Sequence, residues 1–149
     1  MVDVSTIKPD FICISHGHGD HVADAVSIAK QSNAQVLGAY EVTEWLVNQG
    51  ITNCIPMNIG GTINLGFCTV QMVKAEHSSS FPDGSYAGNA AGFVVKSSEA
   101  SFYYAGDTAL TLDMQLIPLY SKLDFAFLPI GDNFTMGIKD AARAAKLVQ

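Results

Sequence analysis

His16, Gly17, His18, Gly19, Asp20 and His21 bring three imidazoles and one carboxylate into a single short stretch, with three of the chain's four histidines. Imidazole nitrogen and carboxylate oxygen are the donors that Zn²⁺, Fe and Mn²⁺ accept. The two glycines let the backbone turn tightly while the ligands converge. The stretch follows directly on the apolar run Phe11-Ile12-Cys13-Ile14. A polar, glycine-interrupted turn at the end of a strand adds little to a core and can aim several donors at one point. The competing reading is a histidine-rich surface loop with incidental metal affinity. A bound divalent metal lowers the pKa of its water from about 15.7 to near 7 and so supplies hydroxide at neutral pH. Other chemistries lack their residues. There is no Gly-x-x-x-x-Gly-Lys-Ser/Thr phosphate loop and no Gly-x-Ser-x-Gly.

His-x-His-x-Asp-His after an apolar strand resembles the signature of the metallo-β-lactamase fold superfamily. His77 in Ala75-Glu76-His77-Ser78 and Asp107 in Tyr104-Ala105-Gly106-Asp107-Thr108 follow that family's order. Pro129-Ile130-Gly131-Asp132-Asn133-Phe134-Thr135-Met136-Gly137 resembles its branch of small metal-dependent hydrolases related to L-ascorbate-6-phosphate lactonase. The resemblance implies one or two divalent ions, zinc first, with manganese or iron as alternatives. It implies His16, His18 and His77 on one ion, Asp20 and His21 on a second, and Asp107 between them. It gives Asp20 the catalytic role of orienting the attacking hydroxide or taking its proton. The implied reaction is hydrolysis of an ester, lactone or phosphoester by metal-activated hydroxide. The alternative is a non-catalytic or degenerate metal-binding domain of the same fold. Asp20 and Asp107 each have a plainer reading as helix caps. A di-iron oxidoreductase of this fold would normally carry a carboxylate where Gly19 stands.

The elements that would position these residues read as follows. Phe11 to Ser15 is expected to be a buried strand, and a helix opens at Asp20 with Val22, Ala25, Val26, Ile28 and Ala29 as its apolar stripe. A strand over Gln35–Leu37 precedes a helix over Glu41–Asn48, with Trp45 in the core and Gly50 past the helix end. Cys54–Met57 is a strand. Phe67 to Ala75 alternates with period two and ends at His77. A Ser/Gly/Pro-rich loop over Ser78–Asn89 follows, and Gly92–Lys96 pairs with Ser101–Tyr104 as a hairpin. Leu112–Leu119 is a helix limited by Pro118, Asp124–Leu128 a buried strand, and Ile138–Val148 an Ala-rich helix. Strands alternate with helices, then dominate, then alternate again. That order is α+β, and the resemblance implies an αβ/βα sandwich. The family normally begins several strands earlier and ends on a further histidine. The chain is therefore expected to be an incomplete copy, lacking N-terminal strands and the C-terminal end, with its second metal site one ligand short.

The 149 residues are expected to form one domain. A net charge of −6 and a pI near 4.9 argue against a nucleic-acid backbone as partner. Cys13, Cys54 and Cys68 form no Cys-x-x-Cys pair, which fits a reducing cytoplasm. No signal-peptide pattern opens the chain, and no apolar run has membrane-spanning length. The expected partner is a small-molecule substrate, with no membrane and a possible homo-oligomer; absence of a secretion signal disfavours a β-lactam.

Overall fold

The computed structural model describes residues 3–149. The chain divides into two compact units. The first runs to Asn58 and includes Ser79–Asn89; the second comprises Ile59–Ser78 and Ala90–Gln149.

The first unit holds a parallel sheet of β1 (Phe11–Cys13), β2 (Gln35–Ala39) and β3 (Cys54–Met57), in that spatial order. Parallel neighbours need crossovers. Helices α1 (Gly19–Val22) and α2 (Ala25–Ser32) carry the chain from β1 to β2, and α3 (Tyr40–Asn48) carries it to β3. The central strand is the most buried of the three, with Val36 and Leu37 fully enclosed. β1 is not the buried strand its apolar run suggests. Among the described residues it pairs only with β2, and Phe11 and Ile12 are half-buried while Cys13 is exposed. Burial comes just beyond it, at Ile14, Ser15 and His16. The expected helix after Asp20 breaks into two at Ala23 and Asp24, but Val22, Ala25 and Ala29 still face the core. α3 ends as expected, with Gly50 at φ +85°. Trp45 is half-buried and stacks on Phe81 with ring centroids 4.9 Å apart.

The second unit holds β4 (Thr62–Asn64), β5 (Cys68–Lys74), β6 (Ala91–Ser97), β7 (Ser101–Tyr104) and β8 (Phe125–Phe127), in spatial order β4-β5-β6-β7-β8. The expected hairpin is β6–β7. Sequence reading overlooks β4, because Thr62-Ile63-Asn64 has one apolar residue and no run to signal it. β5 and β7 are each antiparallel to β6, and β8 is parallel to β7. β5, β7 and β8 therefore point the same way, and the loops after them leave one edge of the sheet. His77, Asp107 and the Pro129–Gly137 stretch occupy those three loops.

Val73, Val94, Tyr103 and Ala105 pack with Met114, Ile117 and residues Ala141 and Ala144 of α5 (Ile138–Leu147). β8 is not buried as expected. Ala126 alone turns toward that core, while Phe125 and Phe127 remain 46% and 55% exposed. Alternation puts Phe125 and Phe127 together on the face opposite Ala126. The helix expected over Leu112–Leu119 is a 3₁₀ turn, Leu112–Leu116, followed by α4 (Ile117–Tyr120). Pro118 opens α4 rather than closing the helix, since a first-turn residue needs no N–H donor. Among the described residues, no helix is long and apolar enough to cross a membrane.

Candidate metal centre

The chain leaves the carboxyl end of β1, where open parallel sheets place ligands, and enters the histidine turn. His16 is fully buried. The Ser15 hydroxyl lies 3.0 Å from His16 Nδ1 and 3.5 Å from His21 Nδ1. A partner on Nδ1 fixes the ring and leaves Nε2 as the outward nitrogen. That Nε2 is 2.9 Å from Nδ1 of His18. The His16 ring is centred 4.6 Å from that of His18 and 4.1 Å from that of His21. One turn of helix makes this possible. The N–H groups of His21 and Val22 both donate to the His18 carbonyl, so positions 18 and 21 share a face. Asp20 does not cap α1, because His18 holds that position. It lies in the first turn, where the helix dipole favours a carboxylate. Its side chain is 81% exposed, and its carboxylate is 3.6 Å from His21 Nε2.

In the second unit, His77 Nε2 lies 3.7 Å from Asp107 Oδ2. Asp107 caps no helix; the next helical turn begins at Leu112 behind Thr111. The loops after β5 and β7 are locked together. The Glu76 N–H donates to the Thr108 hydroxyl at 3.0 Å, and the Ala109 N–H donates to the Glu76 carbonyl at 3.1 Å. The loop after β8 joins them, with the Met136 N–H donating to the Thr108 carbonyl at 3.1 Å. Asp132 and Asn133 in that loop have φ of +59° and +46°, a left-handed turn that suits Asp and Asn. The Asn133 N–H donates to the Asp132 carboxylate.

Two donors held about 2.05 Å from one tetrahedral ion lie roughly 3.3 Å apart. The 2.9 Å nitrogen pair in the first unit and the 3.7 Å nitrogen–oxygen pair in the second straddle that spacing. The donor set thus fits a first-row divalent metal. Ser15, Ser79 and Thr108 support these groups and escape notice in the sequence. Their only signal is adjacency: Ser15 precedes His16, Thr108 follows Asp107, and Ser79 lies two residues after His77.

Residues 4–149 match the Beta-lactamase superfamily domain. A UPF0173 metal-dependent hydrolase of Methylacidiphilum infernorum is 50% identical over 145 residues, covering 97% of this chain and 64% of that protein. One from Flavobacterium johnsoniae is 49% identical over 148 residues, covering 99% and 65%. The chain thus spans slightly less than two thirds of the length of these relatives. Igni18, a novel metallo hydrolase from the archaeon Ignicoccus hospitalis, superposes with a TM-score of 0.84 at 32% identity, over 96% of this chain and 61% of that one. The chain belongs to the beta-lactamase superfamily domain family, and its α+β architecture of two sheets is the metallo-β-lactamase fold.

Proposed function

We propose that this chain carries the metal site of a metal-dependent hydrolase. The observation that carries the reading is the convergence of the His18 and His21 imidazoles on a buried, serine-oriented His16. Relatives that share about half of the chain's residues and are named metal-dependent hydrolases support it. His16, His18 and His77 would hold the first ion, Asp20 and His21 would contribute to a second, and Asp107 would be shared. Zinc suits the imidazole-rich set, with manganese or iron as alternatives. A divalent metal there would supply Lewis acidity and a water of lowered pKa. Ser15 keeps the His16 ring oriented. Asp20, exposed beside His21, accepts a proton from the attacking water or orients it. The substrate is a small ester, lactone or phosphoester, and the Pro129–Gly137 stretch favours the branch related to L-ascorbate-6-phosphate lactonase. A cytoplasmic location is part of the same proposal.

Protein purified without chelator should contain divalent metal by emission spectroscopy, and His16→Ala and His77→Ala should each lower its stoichiometry. Full metal content in both variants would sink the ligand assignment. The metal-loaded wild type should hydrolyse a γ-lactone or bis(p-nitrophenyl) phosphate and lose the activity in EDTA. Metal bound without turnover on either would favour the non-catalytic reading.

A further inference from the structure

The segment after His77 does more than connect strands. Within the first unit, residues 79–87 form a hairpin: Ser80 and Tyr86 pair as a β-bridge, and the Phe81 N–H donates to the Ser85 carbonyl. Its tip is tightened by the Gly84 N–H donating to the Phe81 carbonyl, with Gly84 at φ +85°. The base of the hairpin grips the histidine turn at Gly17, the residue between His16 and His18. The Gly17 N–H donates to Ser79 Oγ at 3.1 Å, and the Ser79 hydroxyl donates to the Ala87 carbonyl at 3.2 Å. A Cβ on Gly17 would lie 2.3 Å from the Ala87 Cβ and 3.2 Å from the Phe81 ring. Contact this close requires a glycine, although its φ is not left-handed. Behind the hairpin, Phe81 stacks on Trp45 of α3 at an interplanar angle of 12°. The chain of contact runs from α3 through Trp45 and Phe81 to Gly17, and Ala87 closes on the same glycine.

We propose that this hairpin sets the spacing of the two flanking imidazoles, with Ser79 as a positioning residue for the metal site. The inference rests on the metal-binding reading above. A main-chain N–H between two ligands is a natural place to fix their separation, because both side chains swing with that peptide. Ser79 satisfies the N–H and passes the restraint to the opposite side of the hairpin through Ala87. Outer partners of this kind typically change metal affinity by about 10- to 100-fold when removed.

The test uses the full chain, with Co²⁺ and Zn²⁺ as probes in competition with a chromophoric chelator. Ser79→Ala should bind both ions at least about tenfold more weakly and shift the visible spectrum of the Co²⁺ form. Ser79→Thr, which keeps the hydroxyl, should restore both. Ser79→Ala strands the Gly17 N–H, so its metal-free form should melt somewhat below the wild type; the altered Co²⁺ spectrum is the readout that a merely structural role for Ser79 would not move. Gly17→Ala should weaken binding as well, and Gly17→Ala combined with Ala87→Gly should recover part of it. That pair tests the same contact should Ser79→Ala fail to fold. Unchanged affinity and Co²⁺ spectrum in Ser79→Ala would overturn the inference while leaving the metal-binding reading intact. Equal losses in Ser79→Ala and Ser79→Thr would also overturn it. A wild type that binds neither ion would overturn both.

Discussion

Tyr103 is fully buried, and its hydroxyl has no hydrogen-bond partner among the described residues. Burial pushes its phenol from an ordinary value near 10 up to about 12. The folded-state value is the raised one, so the neutral phenol is what folding favours. That contribution is fully present below a pH of about 10 and is lost as pH climbs from about 10 to about 12. The difference is roughly 3 kcal/mol. Tyr103→Phe removes an orphaned donor, so its stability near neutrality should equal or exceed the wild type's. Its alkaline decline should be shallower. Denaturant melts at neutral and alkaline pH would show this, and an identical decline in both proteins would refute it. Thr108 is the opposite case: equally buried, but bonded to the Glu76 N–H. Thr108→Val strands that donor and should cost about 1–3 kcal/mol, whereas Thr108→Ser should cost much less. Equal losses in denaturant midpoint would show that the hydroxyl is not what matters. The histidine turn stood out by residue type and spacing, and His77 and Asp107 by the family resemblance. Ser79 and Thr108 did not, because their partners lie 62 and 32 residues away in the sequence.

Elements were legible where periodicity was strong. β5, the β6–β7 hairpin and α5 fall close to their expected limits, and burial in β5 alternates from Cys68 to Met72. What the pattern could not reveal was the position of a strand within its sheet. Phe11–Cys13 and Phe125–Phe127 read as buried runs, yet each pairs with one neighbour and keeps exposed side chains. Apolar content reports propensity for strand, while burial depends on what lies alongside. β6 illustrates how tightly pairing can constrain a residue. A Cβ on Gly92 would lie 2.7 Å from the Tyr104 carbonyl oxygen and 3.0 Å from the Ala105 carbonyl oxygen. Backbone atoms cannot yield as a flexible side chain does. Gly92→Ala should therefore destabilise the protein by about 1–3 kcal/mol, as overpacking does. A denaturant midpoint equal to that of the wild type would show that the sheet absorbs the methyl group.

At the scale of the molecule, the chain carries a net charge of −6, part of which a bound divalent cation would offset. Ligand binding only to the folded state stabilises by about 2.7 kcal/mol at a hundredfold excess over Kd. For a chain of this size that corresponds to a rise of roughly 5–10 °C in melting temperature. Calorimetry with and without saturating Zn²⁺ would measure it, and coincident melts would argue against a site confined to the folded form. The chain also has a single tryptophan, and it lies flat against Phe81. Its emission therefore originates at one place, on the outer side of the hairpin that grips Gly17. The protein thus carries a native optical probe that needs no label. Chelator added to metal-loaded protein should alter Trp45 fluorescence intensity or anisotropy, and Phe81→Leu should weaken that response even where metal still binds.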